Sequence, residues 1–175
     1  MTQDETKKTF EEFGNFVIAK AKQNLKNDGK NSSGNLFDSL EFQFKQNQNS
    51  IEFDFYAEDY WKFVDKGVKG KTSSAKAPNS PYQFGSGTGK KGGLRSAIDK
   101  WVIRKGLTNV RDKQGRFVNR KQMVSMISSA IYNRGLTATG FFSKPFDEAF
   151  NKLPDEILEA YGKDFDKFLI KEIET

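Results

Sequence analysis

The stretch Phe84–Gly93 reads F-G-S-G-T-G-K-K-G-G, in which five glycines beside two lysines invite a phosphate-binding interpretation. A nucleotide-gripping loop needs Gly, four residues, then Gly-Lys-Ser/Thr, set between a buried strand and a helix. Backbone N–H groups then wrap the phosphates and the hydroxyl reaches magnesium. Here only three residues separate Gly85 from Gly89-Lys90, Lys91 stands where the hydroxyl belongs, and Ser80-Pro81-Tyr82 upstream is no buried strand. The pattern is therefore not that of a nucleotide site. Carboxylates are the other candidates for chemistry, because the chain has no His and no Cys. That composition removes imidazole acid–base catalysis, thiolate nucleophiles, disulfides and Cys/His zinc sites. Glu52, Asp54, Glu58 and Asp59 are close in sequence, as a carboxylate hydrolase or a magnesium-dependent nuclease would need. Alternation with Phe53 and Phe55, however, assigns Glu52 and Asp54 to the solvent side of a strand. Asp155, Glu156 and Glu159 read as ordinary acidic residues near a helix start. The expectation is a non-enzymatic protein with no cofactor and no metal.

Charge is the stronger signal. Residues 1–65 hold 8 Lys and Arg against 12 Asp and Glu (−4), residues 66–134 hold 16 against 2 (+14), and residues 135–175 hold 5 against 9 (−4). Between Asp65 and Asp99 the chain carries Lys66, Lys69, Lys71, Lys76, Lys90, Lys91 and Arg95 without one acid. Such a run meets a polyanion or an acidic neighbouring subunit, since neutralising a phosphate backbone requires charge but no fixed geometry. No base-reading helix or stacking-sheet signature accompanies it, so sequence-specific binding is not expected.

The elements that must position these residues follow from periodicity. Phe10, Phe13, Val17, Ala21 and Leu25 recur at spacings of three and four and predict an amphipathic helix from about Thr6 to Gly29, with Gly14 a tolerated interruption. Alternation of Leu40, Phe42 and Phe44, resumed at Ile51, Phe53 and Phe55, predicts a β-hairpin across Asn47–Ser50 with a phenylalanine face. A lone hairpin is marginal in water, so that face is expected on the first helix. Glu58 or Asp59 is then expected to cap a short turn bearing Tyr60, Trp61, Phe63 and Val64, aromatics that fit a core or a subunit interface. From Val68 to Gly93 no period is present, and a mobile basic loop is expected, open to protease in the free chain and protected on assembly. Leu94, Ile98, Trp101 and Val102 predict a helix ending at Gly106, and Asp112–Gly115 a tight turn. Asn119 is expected to cap a helix with Met123, Ile127, Ala130 and Ile131 inward. A last helix from about Pro154 to Glu172 should bury Ile157, Leu158, Tyr161, Phe165, Leu169 and Ile173. The fold class is α+β: an antiparallel β-hairpin packed against long amphipathic N- and C-terminal helices, with a long basic loop and a helical insertion. No run of about 18 apolar residues and no signal-peptide core is present, so a soluble chain made in a cytoplasm is expected.

In order, three segments resemble the tail-completion, or head-to-tail connector, proteins of tailed-bacteriophage necks. These are Ser33-Gly34-Asn35-Leu36-Phe37-Asp38-Ser39-Leu40 before the hairpin, Tyr60-Trp61-Lys62-Phe63-Val64-Asp65-Lys66-Gly67 after it, and Pro145-Phe146-Asp147-Glu148-Ala149 before the end. Ala130–Gly135 and Gly140–Phe146 also resemble structural proteins of phages infecting Bacteroidetes, including the crAss-like group. The resemblance implies one connector-like domain over 1–175, with 68–134 as an insertion that compact members lack. It implies a virion structural protein of the neck: a homo-oligomeric ring, six- or twelve-fold, between portal and other neck or tail proteins, lining or sealing the DNA channel. On that reading Lys66, Lys69, Lys71, Lys76, Lys90, Lys91 and Arg95 face packaged double-stranded DNA or a neighbouring subunit, and Tyr60, Trp61 and Phe63 lie at a subunit interface. No membrane is involved. The other reading is a non-sequence-specific nucleic-acid-binding protein that uses segment 66–134.

Overall fold

The computed structural model describes residues 4–29, 33–46, 51–87, 92–107, 110–111 and 113–173. Asn47–Ser50, Lys90 and Lys91 lie outside the described residues. In chain order the elements are α1 (Asp4–Asn27), α2 (Asn35–Asp38), β1 (Glu41–Gln46), β2 (Ile51–Tyr56), α3 (Trp61–Lys66), α4 (Gly93–Arg104), α5 (Arg120–Arg134) and α6 (Ser143–Ile173). The fold is α+β, with a two-stranded antiparallel sheet. It divides into two compact units, one of Met1–Asp59 with Gly140–Thr175 and one of Tyr60–Thr139. The second unit extends past the expected 68–134 insertion at both ends and takes in α3.

The first unit is built on the helical face read from the sequence. Phe10, Phe13, Val17, Ala21 and Leu25 of α1 are all buried. Register places Phe42 opposite Phe55 and Phe44 opposite Phe53, so all four rings share one face of the hairpin. That face lies on α1: Phe10 stacks on Phe44 at 5.5 Å, and Phe13 meets Phe53 edge-on at 5.5 Å. Each such pair adds about 0.5–1.5 kcal/mol beyond the area it buries. Phe142 and Phe146 extend the cluster, with Phe55 edge-on to both at 5.2 and 5.9 Å. The motif at 33–40 forms the entry to the hairpin. Leu36 and Leu40 are buried, and the Ser39 hydroxyl donates to the Leu36 carbonyl at 3.1 Å and accepts from the Glu58 N–H at 3.0 Å.

Gly14 does more than interrupt a helix. A Cβ at this position would overlap the Phe42 ring, so the glycine is what lets the hairpin seat against α1.

The last helix departs from expectation. It begins at Ser143 rather than Pro154 and runs 31 residues with Pro154 inside it. Pro145, in its first turn, gives up an N–H that has no helical partner there. Pro154 removes an interior hydrogen bond, which costs about 3 kcal/mol in an isolated helix. Both halves nevertheless pack on α1, through Ala149 and Leu153 before the proline and Ala160 and Asp164 after it, so the helix continues. This changes the inward face. Ile157 is half-buried, but Leu158, Tyr161 and Phe165 are 72%, 48% and 45% exposed. Small Ala149 and Ala160 take the core side because they allow the close approach of two helices, which the larger residues would block. The side chains of Leu169 and Ile173 lie outside the description.

Two polar contacts fix α1 and α6 antiparallel. Asn24 Nδ2 donates to the Phe141 carbonyl at 3.2 Å at one end. At the other, buried Asp164 accepts from the Glu5 N–H at 3.1 Å, the Thr6 N–H at 3.0 Å and Thr6 Oγ1 at 2.9 Å. A side chain of α6 thus caps the free amides at the start of α1. Burial works against the Asp164 charge, but these donors, with Lys167 nearby, hold its carboxyl below the ordinary aspartate value.

Two outcomes test this packing. Gly14→Ala should lower the denaturant midpoint, because overpacking costs about 1–3 kcal/mol against the roughly 1 kcal/mol that Ala gains in helix propensity; Gly14→Val should lower it further. Because Asp164 titrates lower in the fold than in the unfolded chain, its contribution is complete above about pH 3.9 and is lost as pH falls through the depressed folded value. The stability gap between wild type and Asp164→Asn should therefore stay constant down to about pH 5 and close in more acid solution, as read from urea midpoints against pH.

Candidate functional site

The second unit carries 17 Lys and Arg against 3 Asp and Glu (+14), and the first carries 12 against 20 (−8). Charge segregation in the sequence is thus a division between two folded bodies. Of the second unit's acids, Asp65 is buried, Asp99 pairs with Arg120 at 3.0 Å, and Asp112 lies outside the described residues.

The part of that unit read as a mobile loop is held by its backbone over residues 67–84. No helix or strand is present there among the described residues, as expected, but isolated bridges join Val68 to Leu136 and Lys69 to Gln83. The Val68 N–H donates to the Leu136 carbonyl at 3.0 Å, with the return bond at 2.8 Å, and the Lys71 N–H donates to the Tyr132 carbonyl at 2.9 Å. Buried Ser80 donates its hydroxyl to the Gly67 carbonyl at 2.7 Å and accepts from the Tyr82 N–H at 3.1 Å. Three glycines make this possible. A Cβ at Gly67, Gly70 or Gly135 would collide with the backbone of Leu136 and Ala138, of Asn133, or of Val68. The motif glycine at 67 therefore serves a backbone crossing at positive φ, which only glycine adopts without strain. Periodicity cannot reveal such a segment, because its order comes from non-repeating backbone bonds, some within it, as Lys69 to Tyr82, and some to Tyr132 and Leu136 far along the chain.

On this frame the expected basic residues take distinct places. Lys66 is in the last turn of α3 and exposed, and Lys69 is half-buried in its bridge. Lys71 is exposed with its Nζ 6.0 Å over the Tyr132 ring, and Lys76 is exposed while its carbonyl accepts from the Ala138 N–H. Arg95, on α4, donates to Ser125 Oγ of α5 at 2.9 Å. The lysines thus decorate the backbone crossing, and Arg95 belongs to a separate helix pair. Of the aromatics, Tyr60 and Phe63 are 39% and 43% exposed and Trp61 is half-buried. Phe63 meets Tyr82 edge-on at 4.6 Å. Neither Glu58 nor Asp59 caps α3; Tyr60 precedes it with no side-chain cap bond.

The helix pair has its own small core of Val102, Met123 and Val124, flanked by Ile98, Trp101, Leu107, Val118 and Ile127. Asn119 caps α5 as expected, accepting from the Lys121 N–H at 2.9 Å. Ala130, expected inward, is exposed, and Ser128 is buried instead, because α5 turns Val124 and Ser128 toward its neighbours. Between the helices an isolated antiparallel bridge pairs Arg111 with Phe117, and the Val118 N–H donates to the Val110 carbonyl at 2.9 Å. The Arg111 guanidinium lies 4.0 Å from the Phe117 ring centroid and Nη1 donates to the Gly115 carbonyl at 2.8 Å. Phe117 is 65% exposed, and Lys113 and Arg116 nearby in sequence are exposed as well. An exposed ring with a stacked guanidinium can take a base or another ring. Arg111 and Phe117 were legible only as neighbours of the Asp112–Gly115 turn, a basic residue on one side of it and an aromatic on the other.

The acidic candidates are otherwise engaged or scattered. Asp54 accepts from Lys45 Nζ at 2.7 Å across the hairpin, which holds that ammonium above its ordinary range. Glu52 is exposed. A groove of ≈ 460 Å³ along α1 and α6 mixes Glu5, Glu12, Glu156 and Glu159 with Lys8, Lys152 and Lys163. Among the described residues no cluster of acids is placed to hold a metal ion, and no helix is long and apolar enough to cross a membrane.

Over residues 67–84 the hydrogen-bonded crossing stands where a protease-open loop was expected. Trypsin should leave Lys69, Lys71 and Lys76 uncut in the free native chain, and Ser80→Ala, which removes both bonds of a buried hydroxyl, should expose them, as mapped by mass spectrometry. No protein-family model, curated protein or solved structure matches this chain.

Proposed function

We propose that this chain is a non-enzymatic structural subunit of a ring in the neck of a tailed-bacteriophage virion, between portal and tail, where it lines or seals the DNA channel. The observation that carries the reading is the separation of an acidic body (−8) from a basic one (+14) within one chain. A subunit built in this way offers complementary surfaces to its neighbours, and its basic body suits the phosphate backbone of DNA. The segments that resemble connector proteins support the reading because each has a structural task. Ser39 ties the hairpin entry, Gly67 permits the backbone crossing, and Pro145 and Ala149 start α6 and seat it. No step of this function calls for an imidazole or a thiol, which the chain lacks.

Exposed Phe117 and its stacked Arg111 favour a second reading, a protein that binds nucleic acid without reading sequence. Electron microscopy of the purified protein, alone and with a portal, separates the two. Rings or portal-bound rings, with weak DNA affinity of the free chain, are the expected result. A chain that makes no ring under either condition, yet binds duplex DNA with affinity falling on the order of 100-fold between about 50 and 200 mM salt, would replace the first reading by the second.

A further inference from the structure

Helix α6 leaves an apolar stripe uncovered along the first unit. Phe150, Leu158, Tyr161 and Phe165 are 53%, 72%, 48% and 45% exposed, and with Pro154 they recur at spacings of three and four on one side of the helix. Phe150 stacks on Phe146 at 5.7 Å, so the stripe continues the internal aromatic cluster to the surface. Asp147, Asp155 and Asp166 border it, exposed and without an ion pair among the described residues. Lys152 and Lys163, by contrast, are taken up by Glu148 and Glu159 within the helix. An apolar stripe with an acidic border fits a partner that presents uncharged surface ringed by cations.

The second unit presents such a surface on α5. Gln122, Met126, Ser129, Ala130 and Asn133 are exposed along its outer side and carry no charge, although the unit is +14. Met126 is 69% exposed. Lys121 and Arg134 flank this face, and Arg95 reaches the adjoining Ser125. We infer that the α6 stripe is a docking surface for the outer face of α5 in a second copy of this chain, the acidic border of one meeting the basic border of the other. The two surfaces differ, so the contact is head-to-tail and each copy keeps one surface free for the next, the arrangement that makes a ring where the rotation between copies closes. The inference rests on the ring-subunit reading and names the surfaces that would build the ring.

The test uses the full chain in sedimentation velocity over a range of concentrations. Leu158→Glu and Met126→Glu each replace an exposed side chain, and unchanged thermal melting would verify that the fold is kept. Wild type is expected to self-associate, more tightly at about 50 mM than at about 500 mM salt. Each variant should weaken that association at least about tenfold. Mixed in equal amounts, the two variants should form a heterodimer and nothing larger, because each retains one intact surface. Variants that assemble as wild type does would overturn the docking surfaces and leave the ring reading standing. A wild type that stays monomeric at every concentration and salt, and also with portal, would overturn both. Assembly of one variant alone to wild-type size while the other stays monomeric would overturn the pairing of these two faces, since one of them would then meet a different surface.

Discussion

The antiparallel pairing of α1 with α6 is the contact on which the architecture depends. It brings together residues 159 positions apart in sequence, and only with both helices present do the hairpin rings have a floor. Phe13 shows the dependence most directly, since it touches Phe53 and Phe55 of the hairpin and Phe146 of α6. Loss of either terminal helix would leave the phenylalanine face against water. Asp164 adds direction to an otherwise non-directional contact: it accepts from amides at the start of α1 that have no carbonyl partner within the helix.

Closure of the ends has a consequence for the middle. Residues 60–139 leave and re-enter the first unit and must find stability of their own. Two devices provide it. One is the core between α4 and α5 around Val102 and Met123, conventional in its burial of apolar side chains. The other is the crossing of 67–72 with 132–139, where backbone hydrogen bonds replace side-chain packing and glycines let two main chains lie in contact. Ordering a segment with glycines at its crossing points is entropically costly, and the paired N–H and carbonyl groups offset that cost.

Separate bodies also make the charge distribution tolerable. Seventeen cations in a unit with three acids repel one another, and around a single small core that repulsion would oppose compaction. Confined to one unit and screened by salt over about 8–10 Å, it instead becomes a field available to a partner. Exposed rings remain at Phe117 and along α6, where burial within the chain is incomplete.

Much of this was determined by the sequence alone. The face of α1, the phenylalanine side of the hairpin, the Asn119 cap and the segregation of charge are local or compositional properties, and each emerges from spacing, alternation or counting. What only the tertiary structure decided are choices between faces and partners. Gly14 reads as a defect until Phe42 is seen to occupy the space of its missing side chain. Pro154 reads as a helix start until packing on both sides of it carries the helix through. The apolar residues of α6 form two overlapping stripes, and periodicity favours the larger one. The close approach of α1 selects the smaller, with Ala149, Leu153 and Ala160 inward, and so leaves Leu158, Tyr161 and Phe165 outside. Segment 67–84 has no period at all, because its order resides in hydrogen bonds to distant backbone, which a one-dimensional pattern does not encode.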